Sequence, residues 1–268
     1  MAAGRKKWLL LDNDGSYNGF FNFVPRRLRV GPWSPVAWLF LVAWPAALYR
    51  FMPPLLFAPP DGQREQLVWS DVVVVAWCCI VIIRGSMSAS PVIFFITYTG
   101  WSWLLLTAHA GSITLASICT PLLESHLLWF REAIRFPLAV SATITAVLWN
   151  FLLLPFLTFY AKRKGAERRQ FLRWNFNFTM SSIHVCNVPL AWLSLYGGSD
   201  AVRTLGPADL WVAMLLLYSY AVLYLFVLDR FGLHFYCMFS PRSHLCGFCY
   251  AVLLACYVGC FRLWGGVI

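Results

Sequence analysis

Charge is what this chain has least of. Of its 268 residues only 12% are Asp, Glu, Lys or Arg, and just 11 are acidic. Hydrophobic residues make up 60%, and mean hydropathy is +0.66, a balance outside the range of water-soluble domains. A freely soluble fold is excluded, and an all-α polytopic membrane helix bundle is expected. The shortage of acids removes further classes. An ion pump or channel would want several intramembrane carboxylates or a filter loop, and neither is evident. Asp71, Asp209 and Asp229 fall near span ends, where they are expected to cap helices or touch headgroups. No lipidation box, retention tetrapeptide or internal repeat occurs.

What is present is long apolar runs. Stretches with few charges cover Pro35 to Phe57, Leu67 to Ile83, Pro91 to Thr120, Phe136 to Tyr160, Phe176 to Tyr196, Asp209 to Leu228 and His244 to Trp264, each near the length that crosses a bilayer as a helix. About seven transmembrane helices are expected. The first is the weakest, because it holds Pro45, Pro53, Pro54 and Arg50, which break or tilt a helix. With seven spans, fifteen Lys and Arg fall on the side of the N-terminus and six on the other, so the positive-inside rule places the N-terminus inside. The net charge of +10 then reflects topology and attraction to lipid headgroups, and nucleic-acid binding is not expected. This bias fixes orientation rather than organelle; an endomembrane or the plasma membrane is expected ahead of an organellar inner membrane.

Residues 1–34 are basic and aromatic, but Asp12 and Asp14 and the lack of an apolar core argue against a cleaved leader. They read as a tail at the inside interface with Phe20, Phe21, Phe23 and Trp33 as anchors. Residues 35–268 read as one transmembrane helical domain.

Nine cysteines raise the question of metal. Cys246, Cys249, Cys256 and Cys260 share one face of the last span. The first and last lie about 21 Å apart at 1.5 Å per residue, so one straight helix cannot close a tetrahedron on zinc. A small-residue packing stripe with Gly247 and Gly259 is the better account, and the chemistry expected here needs no metal or cofactor.

The third and fifth runs each carry a reactive group about eight residues from their starts, Thr99 and His184. Both spans run the same way, so hydroxyl and imidazole sit at one depth, roughly 12 Å along the axis. In the antiparallel fourth and sixth spans, Asn150 and Tyr220 fall at a similar height. Polar groups at that depth are costly unless paired or facing a wet cavity. A threonine hydroxyl is a poor nucleophile until a base takes its proton, and a neutral histidine is the natural base. Asn187 lies one turn beyond His184, where it could line a substrate or oxyanion site, as could Asn150 and Tyr220 from across the bundle. Acyl transfer from a lipid ester is the reaction these parts suggest. Against it stands the ordinary fate of such residues: membrane threonines bond their own backbone, and a lone histidine bridges helices. Thr97 points to a different face and is the fallback nucleophile, while His109 lies near the far end of its helix.

At these positions the chain resembles a known family. Tyr98-Thr99-Gly100-Trp101-Ser102-Trp103-Leu104-Leu105-Leu106-Thr107 is similar to the aromatic-Thr-x-Trp block of the rolling-stone proteins and their plant relatives. His184-Val185-Cys186-Asn187 resembles their His-x-x-Asn helix, Phe136-Pro137 with Trp149 their intervening span, and Gly232-Leu233-His234-Phe235-Tyr236 the loop after the sixth. The likeness covers roughly residues 67 to 264. A more distant resemblance is to the androgen-induced-gene family of intramembrane threonine hydrolases, which act on fatty acid esters of hydroxy fatty acids. That resemblance implies a catalytic pair at Thr99 and His184. This chain departs from it in having Asn187, and Tyr236-Cys237 where relatives read Tyr-Pro. The expected function is intramembrane lipid-ester hydrolysis, with membrane lipids as partners. The alternative is a non-enzymatic multi-pass protein, either a fusion or adhesion factor or an accessory subunit of a larger membrane complex. A seven-helix receptor is not expected, because Asp229-Arg230-Phe231 and Asn187-Val188-Pro189 match receptor motifs in neither place nor order.

Overall fold

The computed structural model describes residues 31–55, 57, 69–88, 93–159, 165–196, 204–230, 236, 239–243 and 245–265. The expected tail up to residue 30, with Phe20, Phe21 and Phe23, lies outside the described residues, as do Gly232 to Phe235 and Cys237. Among the described residues the fold is all-α and no strand occurs. Helices α1 (Pro35–Arg50), α2 (Trp69–Ser88), α3 (Ile93–Ile96), α4 (Tyr98–Ala116) and α5 (Pro121–Val147) come first. They are followed by α6 (Leu154–Phe159), α7 (Gly165–Asn175), α8 (Phe178–Ser181), α9 (Asn187–Tyr196), α10 (Pro207–Val222) and α11 (Cys246–Gly265). Four helical stretches are long and apolar enough to cross a membrane: Trp69–Met87, Leu122–Phe156, Pro207–Leu228 and Cys246–Gly265. Such helices belong to an integral membrane protein. The other expected spans are shorter, more polar or interrupted. Helix α1 has 16 residues and stops at Arg50, the stretch around Thr99 is broken at Thr97, and the one around His184 is continuous from Phe178 to Tyr196 but more polar.

The core explains the order of packing. Val74, Cys78 and Val81 of α2, Trp103 and Leu106 of α4, Phe136 to Ala142 of α5 and Ala191 and Leu195 of α9 are buried together. Helix α5 is the hub, packing on α4, α9, α10 and α11. Its buried Ala139 and Ala142 are small, which lets neighbouring backbones approach closely as membrane bundles require. Conversely, Leu39, Val42, Ile83, Phe151 and Phe248 are exposed, as lipid-facing residues should be. The small-residue stripe expected on the last helix is only partly present. Gly247 meets α1, since a Cβ there would lie 2.4 Å from Val36 Cγ1, but one on Gly259 would meet nothing within 4 Å. Cys256 is exposed on that helix.

Helix α5 also corrects an expected boundary. It begins at Pro121, fifteen residues before the expected start at Phe136. Arg131, Glu132 and Arg135 hid this from a reading by hydropathy, yet all three are buried. Arg135 pairs with Glu132 at 3.4 Å and Arg131 with Asp71 at 3.6 Å, so their charges are matched inside the bundle.

Helix irregularities gather at one end of the bundle, here termed basal, which holds Thr97, Phe159, Asn177 and Asp229. The third expected span breaks at Thr97, with α3 before it and α4 after it. Helix α5 loosens into a π turn over Leu148–Leu153, α8 into one over Ser182–Cys186 and α10 into one over Leu223–Leu228. Short π segments of this kind are frequent at functional positions.

Candidate functional site

The broken span sets up the site. Thr97 is extended (φ −100°, ψ 146°) and its Oγ1 accepts the Gly100 N–H at 3.0 Å, which starts α4 afresh. The last carbonyls of α3 need new donors, because non-helical backbone survives at membrane depth only where protein satisfies it. Trp101 Nε1 donates to Phe95 O at 2.7 Å and the Tyr220 hydroxyl to Ile96 O at 3.2 Å. Gly100 permits the fold-back, since a Cβ there would stand 2.3 Å from Phe94 O. Thr97 is thus spent as a cap.

Thr99 lies in the first turn of α4 and is half-buried. Its hydroxyl is hydrogen-bonded to the Tyr236 phenol, which also lies against the backbone N–H groups of Tyr98 and Thr99 and bonds Tyr220. Thr99 donates to Tyr236, and the Tyr220 hydroxyl that donates to Ile96 O also faces the Tyr236 phenol. Tyr98 is hydrogen-bonded to Tyr257 of α11. Beside it, Tyr98, Trp101, Leu105, Pro137, Ser141 and Tyr257 help line a narrow, mostly apolar crevice with room for about one water molecule.

His184 sits in the π turn that precedes α9 and is 4% exposed. Its ring stacks on Trp149, with centroids 4.1 Å apart and planes at 12°. Nδ1 meets the Met180 carbonyl at 3.1 Å. A carbonyl only accepts, so Nδ1 carries the proton and Nε2 keeps its lone pair. Asn150 donates to both Ala146 O and His184 O at 2.8 Å, which clamps two π turns together and uses both of its amide protons. Asn187 donates to Ser102 Oγ at 2.9 Å. Asn150 and Tyr220 therefore have no proton left for an oxyanion, because each is committed to a carbonyl that broken backbone leaves unmatched.

Two bonds set the relative level of Thr99 and His184 along their helices. Ser102 bonds Asn187, and His109 Nδ1 lies 2.9 Å from Ser194 Oγ; both pairs are 85 residues apart. Helices α4 and α9 keep that offset across a heptad, so they run parallel and in step. Three residues back from the first pair stand Thr99 and His184, level to within about one residue's rise of 1.5 Å. Level is not bonded. Among the described residues no hydrogen bond joins Thr99 to His184; the threonine proton goes to Tyr236 and the imidazole proton to Met180.

Sequence reading missed a second polar layer at the other, distal end. Asp71, expected near headgroups, is 1% exposed and His109 is 2% exposed. Ser194 Oγ donates to Asp71 Oδ1 at 3.0 Å and accepts from His109, while Arg131 donates to Ser194 O at 3.2 Å. Asp229 is likewise buried rather than at headgroups: Arg242 and Trp33 Nε1 both bond it. Asp209 caps α10 as expected, accepting the Gly206 N–H at 2.8 Å. One signal was available for the missed layer. Ser102 and His109 on one span, and Asn187 and Ser194 on another, repeat the same spacing of seven.

Among the described residues no group of three or more His, Cys, Asp or Glu could hold a metal ion. No protein-family model matches the chain, and no curated protein or solved structure matches it either.

Proposed function

We propose that the chain is a seven-span membrane protein with its N-terminus inside, and that its basal layer hydrolyses lipid esters with Thr99 as nucleophile and His184 as base. The observation that supports this reading is the shared 85-residue offset, which puts residues 99 and 184 at about one level along adjacent parallel helices. The tautomer supports it too: with Nδ1 engaged by Met180, Nε2 is the basic nitrogen. In the proposed reaction Thr99 Oγ1 attacks the ester carbonyl as His184 Nε2 takes its proton. The oxyanion falls at the start of α4, where the helix dipole favours negative charge. His184 then protonates the leaving alcohol, and water, deprotonated by the same nitrogen, frees the acid.

Turnover of a long-chain fatty-acyl ester in reconstituted membranes tests this. Thr99→Ala is expected to abolish it and His184→Ala to lower it about 10²–10⁴-fold, with both variants still folded. Full activity in either variant removes the proposal. The second reading, a non-enzymatic scaffold or subunit, is favoured by the hydrogen bonds of Thr99 to Tyr236 and of His184 to Met180. A protein unreactive to a fluorophosphonate probe that copurifies with stoichiometric partners would establish it.

A further inference from the structure

Helix α7 is short, basic and set apart from the long helices. Arg169 and Arg173, four residues apart on one face, are exposed, whereas Phe171 and Asn175 on the opposite face are buried. The surroundings alternate cation and ring. Arg168 lies 4.9 Å over Phe159, and Arg84 lies 5.1 Å over Phe178. Phe159 and Phe176 are 67% and 65% exposed, which soluble phosphate would leave unused but an acyl boundary would cover. Guanidinium groups beside exposed aromatic rings match a bilayer surface carrying anionic headgroups.

The buried face of α7 leads to the imidazole. Asn175 Oδ1 accepts Trp149 Nε1–H at 2.8 Å, and the Trp149 indole is the ring on which His184 stacks. Trp174 stands 6.3 Å from Trp149 and stacks on Phe171. A shift of α7 would therefore be felt at His184 through one hydrogen bond and one stacked pair.

We propose that α7 binds anionic phospholipid at the basal membrane surface and that this binding orders the His184 π turn through Asn175 and Trp149. The coupling half rests on His184 being the site proposed above, but it is measured without any hydrolysis. The failure of one reading is thus distinguishable from the failure of the other.

The experiment uses the full chain in nanodiscs of phosphatidylcholine alone or mixed with phosphatidylglycerol, followed by hydrogen–deuterium exchange and by native mass spectrometry of retained lipid. Phosphatidylglycerol is expected to be retained over phosphatidylcholine and to slow exchange in the peptide spanning residues 178–190. Arg169→Gln with Arg173→Gln should weaken retention about five-fold per arginine, and the paired Arg→Lys variant should keep it. Asn175→Ala and Trp149→Phe should bind lipid normally yet lose the change in exchange, while Asn175→Asp, which keeps the acceptor, retains it. Equal retention of the two lipids, indifference to the arginine substitutions, or the same protection from inorganic phosphate in detergent would overturn lipid binding. Unaltered protection in Asn175→Ala and Trp149→Phe would overturn the coupling.

Discussion

The two ends of the bundle solve the problem of buried polarity in opposite ways. At the distal end the helices are regular and the side chains are charged: Asp71, Arg131, Glu132 and Arg135 lie in the interior and answer one another. At the basal end Asp229 and Arg242 pair as well, but around Thr99 and His184 the bonded side chains are neutral and the helices irregular, with Tyr220, Asn150 and Trp101 matched to carbonyls that a straight helix would have used itself. Charge pairs hold geometry by mutual attraction and leave little free. Irregular backbone instead exposes N–H groups, carbonyls and a lone pair to whatever enters. The contrast separates a fastening from a site, although one pair of helices, α4 and α9, takes part in both.

The contrast can be broken most severely at the distal end. Asp71→Ala strands the buried Arg131 guanidinium and is expected to cost ~3–5 kcal/mol, read as a lower unfolding midpoint in detergent. Replacing both charges, Asp71→Leu with Arg131→Met, should recover most of that loss. Gly100→Ala comes next: its Cβ would meet Phe94 backbone, which cannot swing aside as a side chain can. A loss of about 1–3 kcal/mol is expected, together with loss of any basal activity. Asn187→Ala removes the lower bond between α4 and α9 and leaves Ser102 buried without it, for about 1–3 kcal/mol. Its diagnostic is a larger fall in activity than in stability if level matters to chemistry. The smallest effect sharpens the comparison within one helix. Gly111 of α4 meets nothing within 4 Å, so Gly111→Ala should be neutral or stabilise by up to about 1 kcal/mol.

Much of this was legible in the residues. The apolar runs announced the helices, and equal distances from run starts put Thr99 and His184 at one height, which the Ser102–Asn187 and His109–Ser194 bonds support by a separate route. The break at Thr97 was not legible, because an apolar run reports burial and says nothing of continuity; Tyr220 and Trp101, distant donors, are what make the break tolerable. The roles of Asn150 and Tyr220 went astray for the same reason, their protons being claimed by carbonyls that only irregular backbone leaves unmatched. Arg131 and Asp71 were misplaced because a hydropathy scale weighs each charge alone. In the folded chain each has the other within 3.6 Å.

The constant offset between α4 and α9 behaves like a vernier. Inserting one residue between Asn187 and Ser194 would unhitch one rung whichever the chain chose to keep, swinging side chains beyond the insertion by about 100°. A heptad inserted there alone would return the faces but carry Ser194 about 10.5 Å past His109, so both rungs close again only if α4 gains the same seven residues between Ser102 and His109. Length variation in this stretch is therefore tied to its partner: α4 and α9 can change only together and by the same count.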